Sequence, residues 1–565
     1  MPTEPRPDPA GELARAAQRQ LEDFLARLPA PERLGLPELL HALAAHPERV
    51  TEIQQRYYRE QLALWSRIMQ ADQPPAEAPP ADRRFAAAEW DRLPYFRLLK
   101  ESYLLHARWL QELVDAAQLP APAGPRLTFA LRQYLDAMAP TNFPATNPEV
   151  LQLAARTGGA SLAAGLRNLQ NDTTRGRMSM SDERAFAVGG NLAITPGAVV
   201  FENPVAQLIQ YTPRTPTVHA RPLLIVPPFI NKYYILDLQP ENSLVRYALD
   251  RGYRVFMVSW RNAGAGLEHA TWDDYARQGV LAPLQAALEI AGARRLNALG
   301  FCVGGTLLAS TVAVMPQPQR IASLTLLATM LDFSDVGEIG VYVDEQFVAR
   351  CEHQYRDGGL MPGRQLAHAF ASLRANELIW HFHVDNYLKG TTPAAFDLLF
   401  WNADSANVPG PLYAWYLRNM YLENNLRAPG KLTVLGRRVD LARIRAPAYV
   451  LATREDHIVP WRSAFAATHL LGGTIEFALG ASGHIAGVVN PPAGGRRSFW
   501  HTGPVDRGAG DWLAAAWREP GSWWPHWSNW LQQHAGRRVR TAQGLGSERH
   551  RPIEAAPGRY VLNKA

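Results

Sequence analysis

The residues best suited to covalent chemistry lie at positions 296–306, where an apolar run ends in Gly-Phe-Cys-Val-Gly-Gly. A helix-compatible run follows, so Cys302 occupies a sharp turn between a predicted strand and a predicted helix. This is the pattern of a nucleophile elbow, with Cys where Ser is the usual nucleophile. The alternative is a small thiol packed as a hydrophobe, the commoner fate of Cys. The glycines favour the nucleophile, because neighbouring turns must approach such an elbow closely.

A thiol nucleophile needs a base, and the base needs a group that orients it. Asp456 follows the apolar run that ends at Ala452, and His484 follows the run that ends at Leu479. Nucleophile, acid and histidine, in that order and each after a strand, are typical of the α/β-hydrolase fold. The sequence therefore predicts a triad of Cys302, Asp456 and His484 at the carboxyl edge of a sheet, where open α/β sheets hold their ligands.

Each of these assignments has an alternative. Asp456 could cap the helix predicted after it, and His484 could be a loop histidine satisfied by its own surroundings. His457 is a competing base, but it directly follows the acid and cannot easily turn back onto the same nucleophile, so it receives a supporting role. Cys351 lies in a polar, helical-looking segment and is interpreted as structural.

An oxyanion hole needs two backbone N–H groups. The first is assigned to Val303, the residue after the nucleophile. The second should come from the loop after the first apolar strand, where the prolines cannot donate and Phe229, Ile230 and Asn231 remain open. We favour Ile230.

Strands that alternate with helices are expected to position these residues. Six short apolar runs predict buried strands, at 223–228, 253–259, 296–299, 322–328, 446–452 and 474–479. Helical segments intervene at 243–250 and 274–291, which argues for a mostly parallel sheet with helices on both faces. An aromatic-rich stretch at about 332–440 lacks strand-like runs and predicts a cap insertion over the site.

Two domains are predicted: a mainly helical N-terminal region at 1–200 and a catalytic domain at 201–565. Within the first, 1–30 is expected to be poorly ordered and 74–80 to be a connector, with helices at 95–119 and 125–138. The carboxyl-terminal tryptophans are predicted to be packing anchors; they are Trp512, Trp517, Trp523, Trp524, Trp527 and Trp530.

Composition narrows the class of protein. The 565 residues carry 58 basic and 52 acidic side chains, a net charge of +6, and no basic cluster interleaved with aromatics, so nucleic-acid binding is not expected. Two cysteines cannot build a disulfide framework or a Cys-based metal site, and no metal site is predicted. Without a signal pattern or a long apolar run, the chain is expected to be cytoplasmic with no transmembrane segment.

Several long motifs resemble the polyhydroxyalkanoate synthase family, class I type. They lie at 226–238, 259–262, 300–306, 385–390, 396–402, 454–461 and 480–490, and the match runs from about residue 90 to Val561. The resemblance implies polymerisation of (R)-3-hydroxyacyl-CoA, with short acyl chains such as 3-hydroxybutyryl, into polyester with release of CoA. It also implies attachment to the polyester granule, a homodimer, and no cofactor beyond the CoA thioester substrate.

By the same resemblance, Cys302 carries the acyl group, His484 is its base and Asp456 is the third member of the triad. Asp456 either orients His484 or helps to activate the 3-hydroxyl during elongation. Trp415 is expected in the cap, in a packing role. Two other functions are alternatives: a thioesterase or depolymerase on the same fold, against which the Cys nucleophile argues, and a non-catalytic scaffold, against which the intact triad argues.

Overall fold

The computed structural model describes residues 36–69, 82–495 and 497–565. The predicted disordered start and the connector at 74–80 lie outside the described residues. The chain divides into two compact units, the first extending to Asp182 and including Ala371–Ala394, the second formed by Glu183–Phe370 and Ala395–Ala565. The division thus falls at Asp182 rather than near residue 200, and 371–394, which the sequence analysis placed in the cap, belongs to the first unit.

The first unit is helical. Its α-helices are Leu36–Ala45, Pro47–Met69, Glu89–Arg92, Pro94–Ala117, Ala123–Ala137, Pro148–Arg156 and Ala160–Arg175. The segment 371–394 adds the π-helical turns Asn376–Trp380 and His383–Leu388. Hydrogen bonds account for its place here: Tyr387 donates to Asp172 over 2.8 Å, and the His383 ring meets the Asn142 carbonyl at 3.1 Å.

The second unit is built on an eleven-stranded sheet. Its strands are β1 (Gly197–Glu202), β2 (Ala206–Tyr211), β4 (Leu223–Val226), β5 (Val255–Trp260), β6 (Leu296–Phe301), β7 (Ile321–Leu327), β12 (Ala448–Thr453), β13 (Ile475–Gly480), β14 (Ser498–His501), β15 (Trp517–Pro520) and β17 (Glu554–Ala555). Small two-stranded ladders use β3 (Thr217–His219), β8 (Leu360–Met361), β9 (Val408–Pro409), β10 (Thr433–Val434), β11 (Arg437–Arg438) and β16 (Arg538–Arg540).

Six strands run parallel, in the order β13-β12-β7-β6-β4-β5, and they are the six strands that the sequence predicts. Antiparallel strands extend the sheet at both ends. Along β4, Leu224 and Val226 enter one hydrophobic core, whereas Leu223 and Ile225 enter another. Because successive side chains point to opposite faces, both faces of the sheet are covered. The predicted α/β-hydrolase architecture is confirmed.

Helices cover the sheet and form the cap. In the second unit they are Leu244–Asp250, Trp272–Asp274, Ala282–Ala291, Val303–Val314, Glu345–Gln354, Asp397–Ala403, Gly410–Tyr416, Trp461–Phe465, Ala467–Leu470, His484–Val488, Ala509–Ala515 and Trp524–Gln532. Helix Gly363–Ser372 contains the boundary at 370, and π-helical turns lie at Tyr275–Leu281 and Leu417–Leu422. Among the described residues, none of the helices combines the length and apolarity that a membrane crossing requires.

The carboxyl-terminal tryptophans do not all pack as predicted. Trp512, Trp523, Trp524 and Trp527 are at most 1% exposed, but Trp517 is 69% exposed. Trp517 lies on β15, which pairs on one side only, with β14, so its outward position meets solvent rather than a core. The prediction of a packing anchor is wrong for this residue.

Candidate active site

Cys302 lies on the turn between β6 and helix Val303–Val314, with φ 52° and ψ −130°. Positive φ strains a residue that has a side chain, and such strain is concentrated at functional sites. The Cys302 carbonyl accepts N–H bonds from Gly305 (2.9 Å) and Thr306 (3.2 Å), which start the helix directly after the turn. The thiol is therefore presented by a strand and a helix that are both fixed, while the residue itself is only partly buried.

The loop after β4 approaches this turn closely. A Cβ on Gly304 would collide with the carbonyl of Pro227, so only glycine permits this contact. The contact brings the segment that carries Ile230 beside the start of the helix, where the first N–H groups have no partner within the helix. Val303 is buried at that helix start, and the Ile230 carbonyl accepts a hydrogen bond from the Ala406 N–H at 3.3 Å. The oxyanion roles of Val303 and Ile230 stay predictions.

Asp456 lies just beyond β12, and its two carboxylate oxygens have different partners. Oδ1 accepts the N–H groups of Ile458 (2.9 Å) and Val459 (2.8 Å), while Oδ2 accepts the Thr453 hydroxyl (3.0 Å). Oδ2 also meets His484 Nδ1 at 2.7 Å. Asp456 does not cap the helix that follows, whose N-cap is Pro460, so the capping alternative is wrong; Oδ1 instead binds the turn at Ile458 and Val459. The catalytic role of Asp456 stays a prediction. Burial would raise the pKa of this carboxyl, but the His484 charge and these hydrogen bonds hold it below its usual value.

His484 begins the short helix after β13 and is 5% exposed. Asp456 Oδ2 meets its Nδ1 at 2.7 Å, and Cys302 lies close enough to the ring to interact with it electrostatically. The ring also stacks on Phe301, with centroids 5.5 Å apart. Burial opposes the charge on the imidazole, but Asp456 and Cys302 outweigh burial, and the pKa of His484 is raised well above its ordinary value. Such a ring can accept the thiol proton and hold it.

The structure therefore brings Cys302, His484 and Asp456 together. His484, not the adjacent His457, is the histidine that pairs with the Asp456 carboxylate. Cys351 is elsewhere, in helix Glu345–Gln354, where burial raises the pKa of its thiol to about 11. That environment disfavours the thiolate and agrees with the structural interpretation of Cys351.

Two tryptophans that follow His484 in the sequence form hydrogen bonds with the short helix that His484 begins. The Trp523 indole N–H lies 3.1 Å from the Gly487 carbonyl and 3.2 Å from that of Val488, and the Trp524 indole donates to Val488 at 3.0 Å. These carbonyls end the helix that His484 begins, and the helix itself offers them no partner. The start of the carboxyl-terminal helix thus holds the backbone that follows His484.

Two tyrosines of the cap face the nucleophile, and the sequence analysis did not select them. The Tyr416 and Tyr421 rings pack edge to face with centroids 5.5 Å apart, and both phenols lie close enough to Cys302 to interact with it electrostatically. Burial raises the pKa of both phenols, so they remain neutral hydrogen-bonding groups. The aromatic density of the cap was visible in the sequence, but not which rings turn inward. Trp415 stacks on Trp272 with centroids 5.0 Å apart, a packing contact.

Comparison with known proteins shows the family to which the chain belongs. Residues 81–248 match the family model described as the poly-beta-hydroxybutyrate polymerase (PhaC) N-terminus, and residues 221–491 match that of the alpha/beta hydrolase fold. The poly(3-hydroxyalkanoate) polymerase subunit PhaC of Cupriavidus necator is 50% identical over 541 residues, which cover 94% of this chain and 92% of the relative. This chain belongs to the poly(3-hydroxyalkanoate) polymerase family.

Further relatives carry the same description. The poly(3-hydroxyalkanoate) polymerase of Methylorubrum extorquens is 42% identical, over 92% of this chain and 88% of that protein. A solved hydrolase from Pseudomonas aeruginosa is 19% identical and covers 51% of this chain and 92% of its own, with a TM-score of 0.30, from which nothing is concluded. The resemblance predicted from the motifs is confirmed, and the catalytic roles of individual residues in this polymerase family member stay predictions.

Proposed function

We propose that this chain polymerises (R)-3-hydroxyacyl-CoA, with short acyl groups such as 3-hydroxybutyryl, into polyhydroxyalkanoate and releases CoA through an acyl-cysteine on Cys302. The observation that carries the proposal is the His484–Asp456 pair beside a strained Cys302 in a polymerase family member. The preference for short acyl groups rests on the resemblance to class I synthases.

In the first step, His484 takes the thiol proton and the Cys302 sulfur attacks the thioester carbonyl. The carbon–sulfur bond to CoA breaks, and His484 returns the proton to the leaving thiolate. One thioester replaces another, so the acyl group stays activated. The backbone N–H groups of Val303 and Ile230 are assigned to the oxyanion. No cofactor enters this step.

In the second step, the 3-hydroxyl of a chain end or of another substrate attacks the acyl-cysteine. His484 takes the hydroxyl proton, an oxoester forms, and the Cys302 thiol is restored. Conversion of a thioester to an oxoester is downhill, which drives elongation. Asp456 orients the imidazole and stabilises its positive charge. The cap excludes water, which would otherwise divert the acyl group to hydrolysis.

Association with the polyester granule, dimerisation and a cytoplasmic location belong to the same proposal and rest on the family. One feature of the first unit supports granule association. Tyr58, Leu62 and Trp65 are 58%, 68% and 46% exposed on helix Pro47–Met69, at the spacing of one helix face. Isolated large apolar side chains on a surface are ordinary, but a stripe of three suits an apolar surface.

The test is to incubate the purified chain with (R)-3-hydroxybutyryl-CoA and to follow free CoA and the acyl group together. Polyester, CoA release and an acyl adduct on Cys302 are expected. Free 3-hydroxybutyrate as the sole acyl product would instead identify a thioesterase, and absence of CoA release would favour a scaffold.

A further inference from the structure

A cluster of two histidines and a glutamate lies apart from the triad. Glu476, His501 and His526 each offer a ligand atom, and these atoms lie within 4.8 Å of one another. The two imidazole centroids are 4.5 Å apart. The three side chains come from three different elements, β13, β14 and helix Trp524–Gln532, so their proximity is a product of the fold rather than of local sequence.

Strand register explains why the groups meet. Glu476 shares a sheet face with Gly480, because side chains alternate, and Gly480 pairs directly with Phe499 on β14. His501 lies two residues beyond Phe499 and therefore on that same face. The carboxyl-terminal helix packs there, and its His526 ring lies 5.6 Å from the Phe499 ring.

Both rings are oriented by hydroxyl groups at Nδ1. His526 Nδ1 lies 3.0 Å from the Tyr449 hydroxyl, and His501 Nδ1 lies 2.6 Å from the Thr502 hydroxyl. Each Nε2 then faces a carboxylate: His526 Nε2 is 3.7 Å from Glu476, and His501 Nε2 is 3.1 Å from Glu519. Histidines that bind metal through one ring nitrogen usually have the other nitrogen hydrogen-bonded in this manner.

We propose that Glu476, His501 and His526 form a binding site for a divalent transition metal, Zn²⁺ first among them. Two imidazole nitrogens with a carboxylate are a zinc donor set, whereas Ca²⁺ and Mg²⁺ prefer oxygen ligands alone. Glu519 Oε2 lies 3.1 Å from His501 Nε2 but is not one of the three groups that lie within 4.8 Å of one another. The His501, His526 and Glu476 side chains are 14%, 22% and 33% exposed, so an ion can reach them from solvent.

The metal would fasten β13 and β14 to helix Trp524–Gln532. Each of these elements contributes one ligand, and the helix begins beside the tryptophans that hold the backbone after His484. The sequence predicted no metal site because two cysteines cannot build a Cys-based one. That reasoning does not apply to a cluster of two histidines and a glutamate.

The test is a Zn²⁺ titration of the full chain against a chromogenic chelator. It is carried out on the wild type and on C302A, because the Cys302 thiol is a second group that could bind Zn²⁺. We expect one equivalent of tightly held Zn²⁺ in both. H501N/H526N should weaken this binding at least about 100-fold, whereas H353N, an exposed helical histidine, should leave it unchanged.

Y449F provides a variant that keeps every ligand and removes only the hydroxyl beside His526. It should weaken Zn²⁺ binding by about 10-fold, and it remains informative if H501N/H526N fails to fold. Zn²⁺ should also raise the Tm of the wild type more than that of Y449F. Equal Zn²⁺ affinity in wild type and both variants, or loss of the bound equivalent in C302A, would overturn the proposal.

Discussion

The two cysteines of this chain have the same side chain but lie in different environments. Cys302 is partly exposed on a strained turn, with a buried imidazole as its neighbour. Cys351 is 6% exposed in a helix, packed among Val348, Tyr355 and Leu417, and burial raises the pKa of its thiol to about 11. We therefore expect the turn and the histidine, rather than the thiol itself, to make Cys302 the more reactive of the two.

The most direct test of the expected difference between the two cysteines is to remove each thiol in turn. Cys302→Ala should lower CoA release by at least about 10⁴-fold, because the acyl acceptor is gone. Cys351→Ala should keep near-normal CoA release and lose about 1 kcal/mol of stability from the small cavity. CoA release, with Tm as the folding control, measures both. Equal activities of the two variants would contradict the assignment of the nucleophile.

Removing the base should make Cys302 behave more like Cys351. His484→Gln should reduce CoA release by about 10³- to 10⁴-fold, since no group then takes the thiol proton. Alkylation by iodoacetamide, read by peptide mapping, should favour Cys302 strongly in the wild type and much less in this variant. An unchanged labelling ratio would show that the imidazole does not activate the thiol.

On the proposed mechanism Asp456 acts through His484, so its loss should reduce turnover less than loss of the base does. Asp456→Asn should reduce turnover by about 10²- to 10³-fold and impair elongation at least as much as the first acylation. Single-turnover acylation and polymer yield separate the two steps. Thr453→Val, which removes only a hydroxyl bond to the same oxygen, is the matched control and should cost less than about 10-fold. Wild-type behaviour of Asp456→Asn would refute the triad at this member.

The smallest expected effect is a dependence of stability on pH. The pKa of His484 is raised in the folded state, so its contribution is complete below the ordinary value of 6.5 and is lost as pH rises toward the folded value. The Tm difference between wild type and His484→Gln should therefore be larger at about pH 6 than at about pH 9. A difference that grows with pH would mean that His484 is neutral when the chain is folded.

The sequence predicted the parts of the molecule that local patterns specify. Continuous apolar runs identified the six parallel strands, because a strand buried on both faces needs no polar positions. The Gly-Phe-Cys-Val-Gly-Gly stretch and the order of Asp456 and His484 predicted three residues that the structure brings together, because each follows a strand and parallel strands share one carboxyl edge.

What the sequence missed depends on contacts between distant segments. Nothing local in 371–394 distinguishes it from the cap around it; hydrogen bonds to Asp172 and Asn142 decide its unit. In the sequence, Tyr416 and Tyr421 cannot be distinguished from the other aromatic residues of the cap, because only the fold brings them near Cys302. Trp517 was predicted to be a packing anchor like the other carboxyl-terminal tryptophans, but it lies on a strand that is paired on one side only.

The indole bonds from Trp523 and Trp524 to the backbone after His484 have a consequence for synthesis of the chain. Cys302, Asp456 and His484 all leave the ribosome before Trp523 and Trp524. On the proposed mechanism, a nascent chain that already contains these three residues therefore still lacks the indole hydrogen bonds to the backbone that follows the base.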